Sequence, residues 1–130
     1  MVKLSGMLSQ FDPVHVLVIG DFLLDTYTTG KIKRMSPEAP VPILHVEKEE
    51  NRPGGAGNVV LNLVSLGAQV TAIGRIGYDF AGKWLYDFLE EEGVNVQALL
   101  SQKGYKTPVK NRLIADSQQI LRLDHEEATS

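Results

Sequence analysis

The chain has 130 residues, 43% of them apolar, and its 13 basic and 16 acidic residues give a formal net charge of −3. This composition predicts a single compact domain, and the lack of a basic block argues against nucleic acid or an anionic membrane surface as a partner. The sequence has no cysteine, which excludes disulfides and fits a cytoplasmic protein. It also shows neither a membrane-spanning apolar run nor a signal peptide, so we expect an intracellular protein.

The first regular elements are predicted to form a βαβ unit. Residues 15–20 and 69–74 are short apolar runs closed by glycine, a pattern typical of strands buried on both faces of a parallel sheet. Between them, residues 57–66 carry apolar side chains nearly all round, which predicts a buried helix ended by Gly67. A strand, a helix and a further strand in this order favour a right-handed crossover.

A second helix is predicted to follow, with Asp79 as its N-cap and Gly93 beyond its end. Its apolar residues recur at helical spacing: Phe80, Trp84, Leu85, Phe88 and Leu89. Such a stripe covers one side of a helix and is expected to pack against the sheet.

Residues 26–48 and 106–124 interrupt the alternation of strands and helices. The first is rich in Thr, Tyr, Ile and Val, but its run Ser-Pro-Glu-Ala-Pro-Val-Pro restricts part of it to sheet edges and turns. In the second, residues 109–114 and 119–123 alternate like half-exposed strands, with an Asp-Ser turn between them. We therefore predict a small one-sided sheet, built from both segments, that stands over one edge of the α/β core.

Two aspartates, Asp21 and Asp25, follow the first predicted strand. We expect both at the carboxyl edge of the sheet, where open α/β sheets bind ligands. A carboxylate there can accept hydrogen bonds from two vicinal sugar hydroxyls. The alternative is that one aspartate caps the turn and the other is solvated.

Residues 53–58 (Pro-Gly-Gly-Ala-Gly-Asn) are predicted to form a glycine-rich loop before the first helix. Glycines let a ligand approach the backbone closely, and a helix N-terminus presents free N–H groups and the positive end of its dipole. Such a loop can bind hydroxyls or an anion, with the Asn58 amide as a side-chain contact. The alternative is a plain glycine turn before a core helix.

Other chemistries lack their motifs in this sequence. A dinucleotide fingerprint and a P-loop are both absent, which disfavours a nicotinamide-dependent dehydrogenase. His15, His45 and His125 are scattered without the spacing of metal ligands, and no serine or cysteine nucleophile pattern is present. We therefore predict no metal ligand within the chain.

Five motifs occur in an order that resembles a known family. They are residues 20–25, the Arg-Met-Ser-Pro-Glu-Ala-Pro-Val-Pro run at 34–42, the glycine segment at 53–58, Val-Ser-Leu-Gly-Ala at 64–68 and Gln-Gln-Ile-Leu-Arg-Leu-Asp at 118–124. Together they resemble the N-terminal part of the ribokinase-like (PfkB) carbohydrate kinases, from about residue 15 to residue 127. The two lid runs, at 36–42 and 118–124, are similar more narrowly to the heptose 7-phosphate kinases of that family.

The resemblance implies an α/β fold, with an incomplete ribokinase-like parallel sheet and a small β-sheet lid that closes over the sugar and forms a homodimer contact. It implies that Asp25 accepts hydrogen bonds from sugar hydroxyls and that Gly54, Gly55 and Asn58 face the sugar. Asp21 stays a second carboxylate candidate. The lid segments are expected at 26–48 and 106–124.

A phosphorylated sugar also needs cations, and three lie on the predicted lid strands: Lys110, Arg112 and Arg122. Strand alternation places Lys110 and Arg112 on one face and Asn111 on the other. Arginine suits bidentate phosphate binding better than lysine does. The alternative is that all three cations belong to a charged outer face of the lid.

The resemblance implies transfer of the γ-phosphoryl group of Mg-ATP to the anomeric hydroxyl of D-glycero-D-manno-heptose 7-phosphate, in lipopolysaccharide precursor synthesis. In the family, the ATP site and a Gly-Ala-Gly-Asp signature with the catalytic aspartate lie in the second half. We therefore expect residues 1–130 to be a sugar-binding and lid portion that binds no nucleotide tightly by itself. The alternatives are a non-catalytic module that binds a sugar phosphate or dimerises, and a kinase for another sugar or a nucleoside.

Overall fold

The computed structural model describes residues 14–126, which form two β-sheets and two helices. In chain order the elements are β1 (His15–Ile19), β2 (Phe22–Met35), β3 (Pro42–Gly55), α1 (Ala56–Ser65), β4 (Gln69–Ile76), α2 (Phe80–Glu91), β5 (Asn95–Ser101), β6 (Val109–Ala115) and β7 (Gln118–His125). The core sheet has the order β1-β4-β5 and is parallel throughout. The lid sheet has the order β3-β2-β6-β7 and is mixed.

The predicted α/β core and separate lid are both present, and β5 is an addition to the predicted strands. The lid is larger than the expected segments, because its two long strands, β2 and β3, pair along a hairpin that reaches down to the core sheet. The proline run lies at the far end of that hairpin, in the link between β2 and β3. The predicted turn joins β6 to β7, and Asp116 and Ser117 adopt φ values of 50° and 61°, as a tight hairpin turn requires.

Two predictions about burial are wrong. β1 is not buried on both faces, since Leu17 and Ile19 are 63% and 75% exposed. Helix α1 is not buried all round either: it buries Gly57 and Val60, while Val59 stays exposed. In both cases the described residues cover one side only: Val18 of β1 and Val60 of α1 pack in the core, whereas the adjacent Ile19 and Val59 face outward.

The helix ends follow the predicted signals. α1 ends before Gly67, which has a φ of 92°. The Gly67 N–H donates a hydrogen bond to the Val64 carbonyl (2.9 Å), so that Gly67 caps the C-terminus of the helix. α2 ends before Gly93, with φ 86°. The apolar stripe of α2 is only partly in the core, because Leu85 and Leu89 are fully buried whereas Phe80 is 74% exposed.

Asp79 connects α2 to the segment that leads into β6. Its Oδ1 accepts the Gly82 N–H (2.8 Å), and its Oδ2 accepts the Thr107 N–H (2.9 Å). The buried Thr107 hydroxyl accepts the Gly77 N–H at 2.7 Å. Burial raises the pKa of the Asp79 carboxyl, but the hydrogen bonds from Thr107 and Gly82 outweigh it, so the pKa lies below its ordinary value.

We expect Asp79→Ala to lower the free energy of unfolding by about 2 kcal/mol, because it removes both a helix cap and a second charge-assisted hydrogen bond. Urea denaturation of the full-length protein measures this. Asp87→Ala is the matched control, since Asp87 lies on the same helix and its ion pair among residues 14–126 is with Lys83, across 3.1 Å at the surface. Such a pair contributes a few tenths of a kcal/mol, so equal losses in the two variants would contradict the role of Asp79.

The stabilisation by Asp79 has an expected pH dependence. The pKa of Asp79 is lower in the folded chain than in the unfolded one. Its stabilisation is therefore present above the unfolded value of about 4 and is lost as the pH falls through the folded value. The difference in stability between the wild type and Asp79→Ala should narrow below about pH 4.

Candidate functional site

The candidate site lies where the chain crosses between the two sheets. β1 ends at Ile19, Gly20 and Asp21 form the link, and β2 begins at once in the lid sheet. The Gly20 N–H donates to the Ile73 carbonyl of β4 (3.2 Å), and the Ala56 N–H donates to the Asp21 carbonyl (2.9 Å). The carboxyl edge of the core sheet, the base of the lid and the start of α1 therefore meet at one place.

The glycine segment at 53–58 is not a loop. Residues 53–55 are the end of β3 and pair with the first residues of β2, and α1 begins directly at Ala56. The change of direction occurs at Gly55, with φ 57°, where a Cβ would lie 2.5 Å from the Asp21 carbonyl oxygen. Glycine is needed at this change of direction, because the combination of φ 57° with ψ −129° is open to glycine and a Cβ would clash with the Asp21 carbonyl.

Asp25 lies on β2 in the lid sheet, rather than in a turn at the carboxyl edge of the core sheet. Its neighbours across the sheet are Arg52 on β3 and Lys110 on β6. A Cβ on Gly54 would lie 2.6 Å from Asp25 Oδ2 and 2.4 Å from Leu23 Cδ1. The missing side chain at Gly54 therefore provides the space that the Asp25 carboxylate occupies.

Arg112 holds the Asp25 carboxylate. Its Nη1 donates to Asp25 Oδ1 at 3.0 Å, and the two side chains are 23% and 19% exposed. Partial burial makes this charge-assisted bond stronger than a surface pair. Among residues 14–126, no donor is within hydrogen-bonding distance of the second oxygen, Oδ2. The carboxylate is thus oriented by one oxygen and retains a free acceptor at the other.

The lid strands bring most of the predicted site residues to a single face, here called the Asp25 face. Lys110 pairs with Asp25 and Asp124, while Arg112 pairs with Arg122. Residues directly opposite in a sheet share a face. The Asp25 face therefore carries Asp25, Gly54, Lys110, Arg112 and Arg122. The prediction that Asn111 lies on the other face from Lys110 and Arg112 is confirmed. Its side-chain oxygen accepts a hydrogen bond from the Thr28 hydroxyl (2.9 Å) on that opposite face.

Arg122 differs from Arg112 in its partner. Its Nε and Nη2 both donate to the Asp124 carboxylate of the same strand, at 2.8 Å each. The hydrogen bond and charge of Asp124 raise the pKa of the Arg122 guanidinium, and the charge of Asp25 adds to the effect. Two of the three predicted phosphate-binding cations thus already have a carboxylate partner within the chain.

Asn58 and Asp21 lie outside this cluster. Asn58 is exposed in the first turn of α1, and Asp21 is exposed in the link after β1. Asp21 lines a recess that adjoins the Asp25 face, together with Arg75 and Lys110. The structure therefore places both predicted residues near the base of the lid, neither of them beside the Asp25 carboxylate in the sheet.

Two residues of the site were not predicted from sequence, Tyr27 and Arg52. The Arg112 and Arg52 guanidinium carbons lie 5.4 Å and 5.2 Å from the Tyr27 ring centroid, within the range of cation–π attraction. Tyr27 follows Asp25 by two positions, so strand alternation could have placed it on the same face. Arg52 had no such signal, since its position opposite Asp25 depends on the β2–β3 register.

Within residues 14–126, no group of three His, Asp or Glu side chains is arranged to hold a metal ion. None of the helices described here is long and apolar enough to cross a membrane.

Solved structures show the class of fold. Ribokinase from Cryptococcus neoformans var. grubii, in complex with ADP, superposes with a TM-score of 0.62 at 25% identity, over 86% of this chain and 34% of that one. Fructokinase from Xylella fastidiosa, with bound ATP, gives a TM-score of 0.65 at 21% identity, over 88% of this chain and 34% of that one. The two sheets and the junction between them thus form part of a ribokinase-like fold.

A family model for the pfkB family carbohydrate kinases matches residues 15–129, and the chain belongs to that family. It is 43% identical over 123 residues to the bifunctional protein HldE of Magnetococcus marinus, covering 95% of this chain and 25% of the relative. It is 52% identical over 120 residues to HldE of Campylobacter jejuni subsp. jejuni serotype O:2, covering 92% and 24%. The chain spans about a quarter of the length of these relatives.

Proposed function

We propose that this chain is the sugar-binding and lid portion of an ATP-dependent kinase that phosphorylates the anomeric hydroxyl of D-glycero-D-manno-heptose 7-phosphate. The observation that carries the proposal is the Asp25 carboxylate, hydrogen-bonded at Oδ1 by Arg112 and, among residues 14–126, without a donor at Oδ2, which lies next to Gly54. The choice of sugar is supported by the two lid runs, which resemble those of heptose 7-phosphate kinases. Identities of 43% and 52% to proteins named HldE are consistent with it.

In this proposal Asp25 accepts hydrogen bonds from two vicinal sugar hydroxyls. Arg112 fixes the orientation of the carboxylate before the sugar arrives, so that less ordering is left for the binding step. Gly54 leaves space for the carboxylate, and the Tyr27 ring lies within cation–π range of both Arg52 and Arg112. The lid sheet then both holds the sugar and shields it from water.

ATP enters as the second substrate. The family resemblance implies a nucleotide site in the second half of such kinases, and structural neighbours solved with ADP and ATP support nucleotide binding in this fold. Phosphoryl transfer depends mainly on positioning and on stabilisation of charge. Residues 14–126 contribute the positioning of the sugar, while Mg²⁺ arrives with the nucleotide.

The proposal also includes a homodimer contact through the lid. Support comes from an apolar groove of about 440 Å³ at the far end of the lid sheet. Its lining is Ile32, Pro42, Leu44, Leu113, Ile120 and Leu121.

The test of function is a substrate panel with the full-length protein that carries this chain. Formation of ADP from ATP is followed with heptose 7-phosphate, unphosphorylated heptose, ribose, fructose and adenosine. We expect heptose 7-phosphate to give the highest kcat/KM, by more than about tenfold. If another acceptor gave the highest kcat/KM, it would replace heptose 7-phosphate as the proposed substrate. If no acceptor received the phosphoryl group, the kinase assignment would be overturned.

The 130-residue chain is assayed beside the full-length protein. The proposal assigns it sugar binding without phosphoryl transfer, so real turnover by the short chain would contradict the division of roles. Sugar binding by the short chain, measured by calorimetry, would agree with it.

A further inference from the structure

A recess of about 180 Å³ lies beside the Asp25 face, at the carboxyl end of β4. Its cations are Arg75, Lys106 and Lys110, and Leu23 and Tyr105 form part of its wall. Leu23 precedes Asp25 by two positions on β2, and Lys110 is the cross-strand neighbour of Asp25. Because both residues also belong to the Asp25 face, the recess is a direct continuation of the surface proposed to bind the sugar.

Arg75 is held in place by an aromatic ring. Its guanidinium carbon lies 4.0 Å from the centroid of Tyr105, and the side chains of both residues are half-buried. Stacking occupies the flat face of a guanidinium and leaves its in-plane N–H donors for an anion. A planar donor fork of fixed orientation is the arrangement that suits bidentate binding of phosphate.

The cations of the recess form no close ion pair within the described chain, although Lys110 lies across the sheet from both Asp25 and Asp124. Arg112 and Arg122 donate to Asp25 and Asp124. Between residues 14 and 126, by contrast, no carboxylate oxygen lies within 4.0 Å of a side-chain nitrogen of Arg75, Lys106 or Lys110. Asp21 and Glu126 also line the recess, so its lining has three cations and two carboxylates.

We propose that this recess binds the phosphate group of a phosphorylated sugar whose hydroxyls face Asp25, with Arg75 as the main ligand and Lys106 and Lys110 beside it. The proposal rests on the proposed function and assigns the specificity for a phosphorylated acceptor to residues that lie mostly outside the lid strands. Of the three predicted cations, only Lys110 takes part. A phosphate brings the negative charge that the excess of cations favours, and the recess is smaller than a drug-sized site of roughly 300 Å³ or more.

The test uses Arg75→Met in the full-length protein. Loss of a charge-assisted phosphate contact should weaken binding of heptose 7-phosphate by about 10- to 100-fold. The preference for heptose 7-phosphate over unphosphorylated heptose should fall by the same factor, mainly through KM. Tyr105→Leu should give a smaller loss, because the cation stays but its support is removed, and Arg75→Lys should fall between the wild type and Arg75→Met.

Lys83→Met is the matched control for removal of a cation, since Lys83 is exposed on α2 and pairs with Asp87. Thermal melting checks that each variant is folded. Calorimetric titration of heptose 7-phosphate, without ATP, gives a readout that does not require catalysis. Inorganic phosphate should compete in the wild type and lose potency in Arg75→Met.

The outcomes separate this inference from the proposed function. If the wild type prefers the phosphorylated sugar and Arg75→Met keeps that preference, the assignment of the recess is wrong while the kinase assignment stands. If no acceptor is phosphorylated but heptose 7-phosphate binds and Arg75→Met weakens it, the recess stands and the kinase assignment fails. If the wild type and Arg75→Met bind heptose 7-phosphate with equal affinity in the titration, the assignment of the recess as the phosphate site is overturned in either case.

Discussion

Asp25→Ala in the full-length protein is expected to lower kcat/KM for the sugar more than about tenfold, because each charge-assisted hydrogen bond to a hydroxyl contributes about 1.5–3 kcal/mol. The variant removes the free acceptor at Oδ2 and also leaves Arg112, 23% exposed, without its partner. Steady-state kinetics with varied sugar and saturating ATP measure the effect. Unchanged kinetics would remove Asp25 from the site.

Two further variants separate binding from folding. Asp25→Asn keeps the volume of the side chain and loses its charge. It should therefore retain the fold while still showing most of the fall in kcat/KM expected for Asp25→Ala. Glu47→Ala removes an exposed carboxylate from the same sheet, one that pairs with Lys31 across 3.8 Å. Because such surface pairs contribute little, Glu47→Ala should leave both stability and kinetics close to those of the wild type.

Gly54→Ala is expected to reduce kcat/KM by a comparable factor of about tenfold or more. The added methyl group would lie 2.6 Å from Asp25 Oδ2 and 2.4 Å from Leu23 Cδ1. Both distances are shorter than van der Waals contact, so the carboxylate must rotate away from the position in which Arg112 holds it. The expected signature is a higher KM for the sugar with little change in the KM for ATP.

Gly67→Ala is the control for Gly54→Ala. Gly67 has φ 92° and lies at the far end of α1, where an added Cβ would meet no described atom within 4 Å. Alanine there is strained and should cost about 1 kcal/mol of stability without touching the site. If Gly67→Ala lowers kcat/KM as much as Gly54→Ala does, the loss reflects general instability and the role of Gly54 is contradicted.

The position of Asp25 changes how the lid contributes to binding. A carboxylate at the edge of the core sheet would hold the sugar while the lid closed over it. Here the carboxylate, its arginine and the glycine beside it all belong to the lid sheet. In the proposed function the lid is therefore part of the sugar site itself, and a displacement of the lid relative to the core would carry the bound sugar with it.

Local signals in the sequence were sufficient for the two helices, their ends and the turn between β6 and β7. The Asp79 cap, the glycines after both helices and the tight turn at Asp116 and Ser117 depend on residues close together in the chain, so their chemistry can be read from sequence. The alternation that sets Lys110 and Arg112 against Asn111 is equally local. The order of the motifs was specific enough to indicate the family.

Burial could not be read in the same way. The apolar runs of β1 and α1 predicted elements covered on all sides, yet Ile19 and Val59 are exposed among the described residues. An apolar run indicates that a segment can be buried, but which surface covers it depends on partners distant in sequence. The exposed Phe80 on α2 is a further example, since its helical spacing matched that of the buried Leu85 and Leu89.

The sequence by itself determined both helices with their caps, the β6–β7 turn, the family resemblance and the identity of Asp25 and Gly54 as site candidates. Only the tertiary structure decided that 53–55 is a strand, that Asp25 belongs to the lid and that Arg112, 87 residues away, binds its carboxylate. The physical reason is that caps and turns are satisfied by neighbouring residues, whereas the β2–β3 register and the parallel β2–β6 pairing join segments far apart in the chain. No local preference encodes which distant strand a segment will pair with.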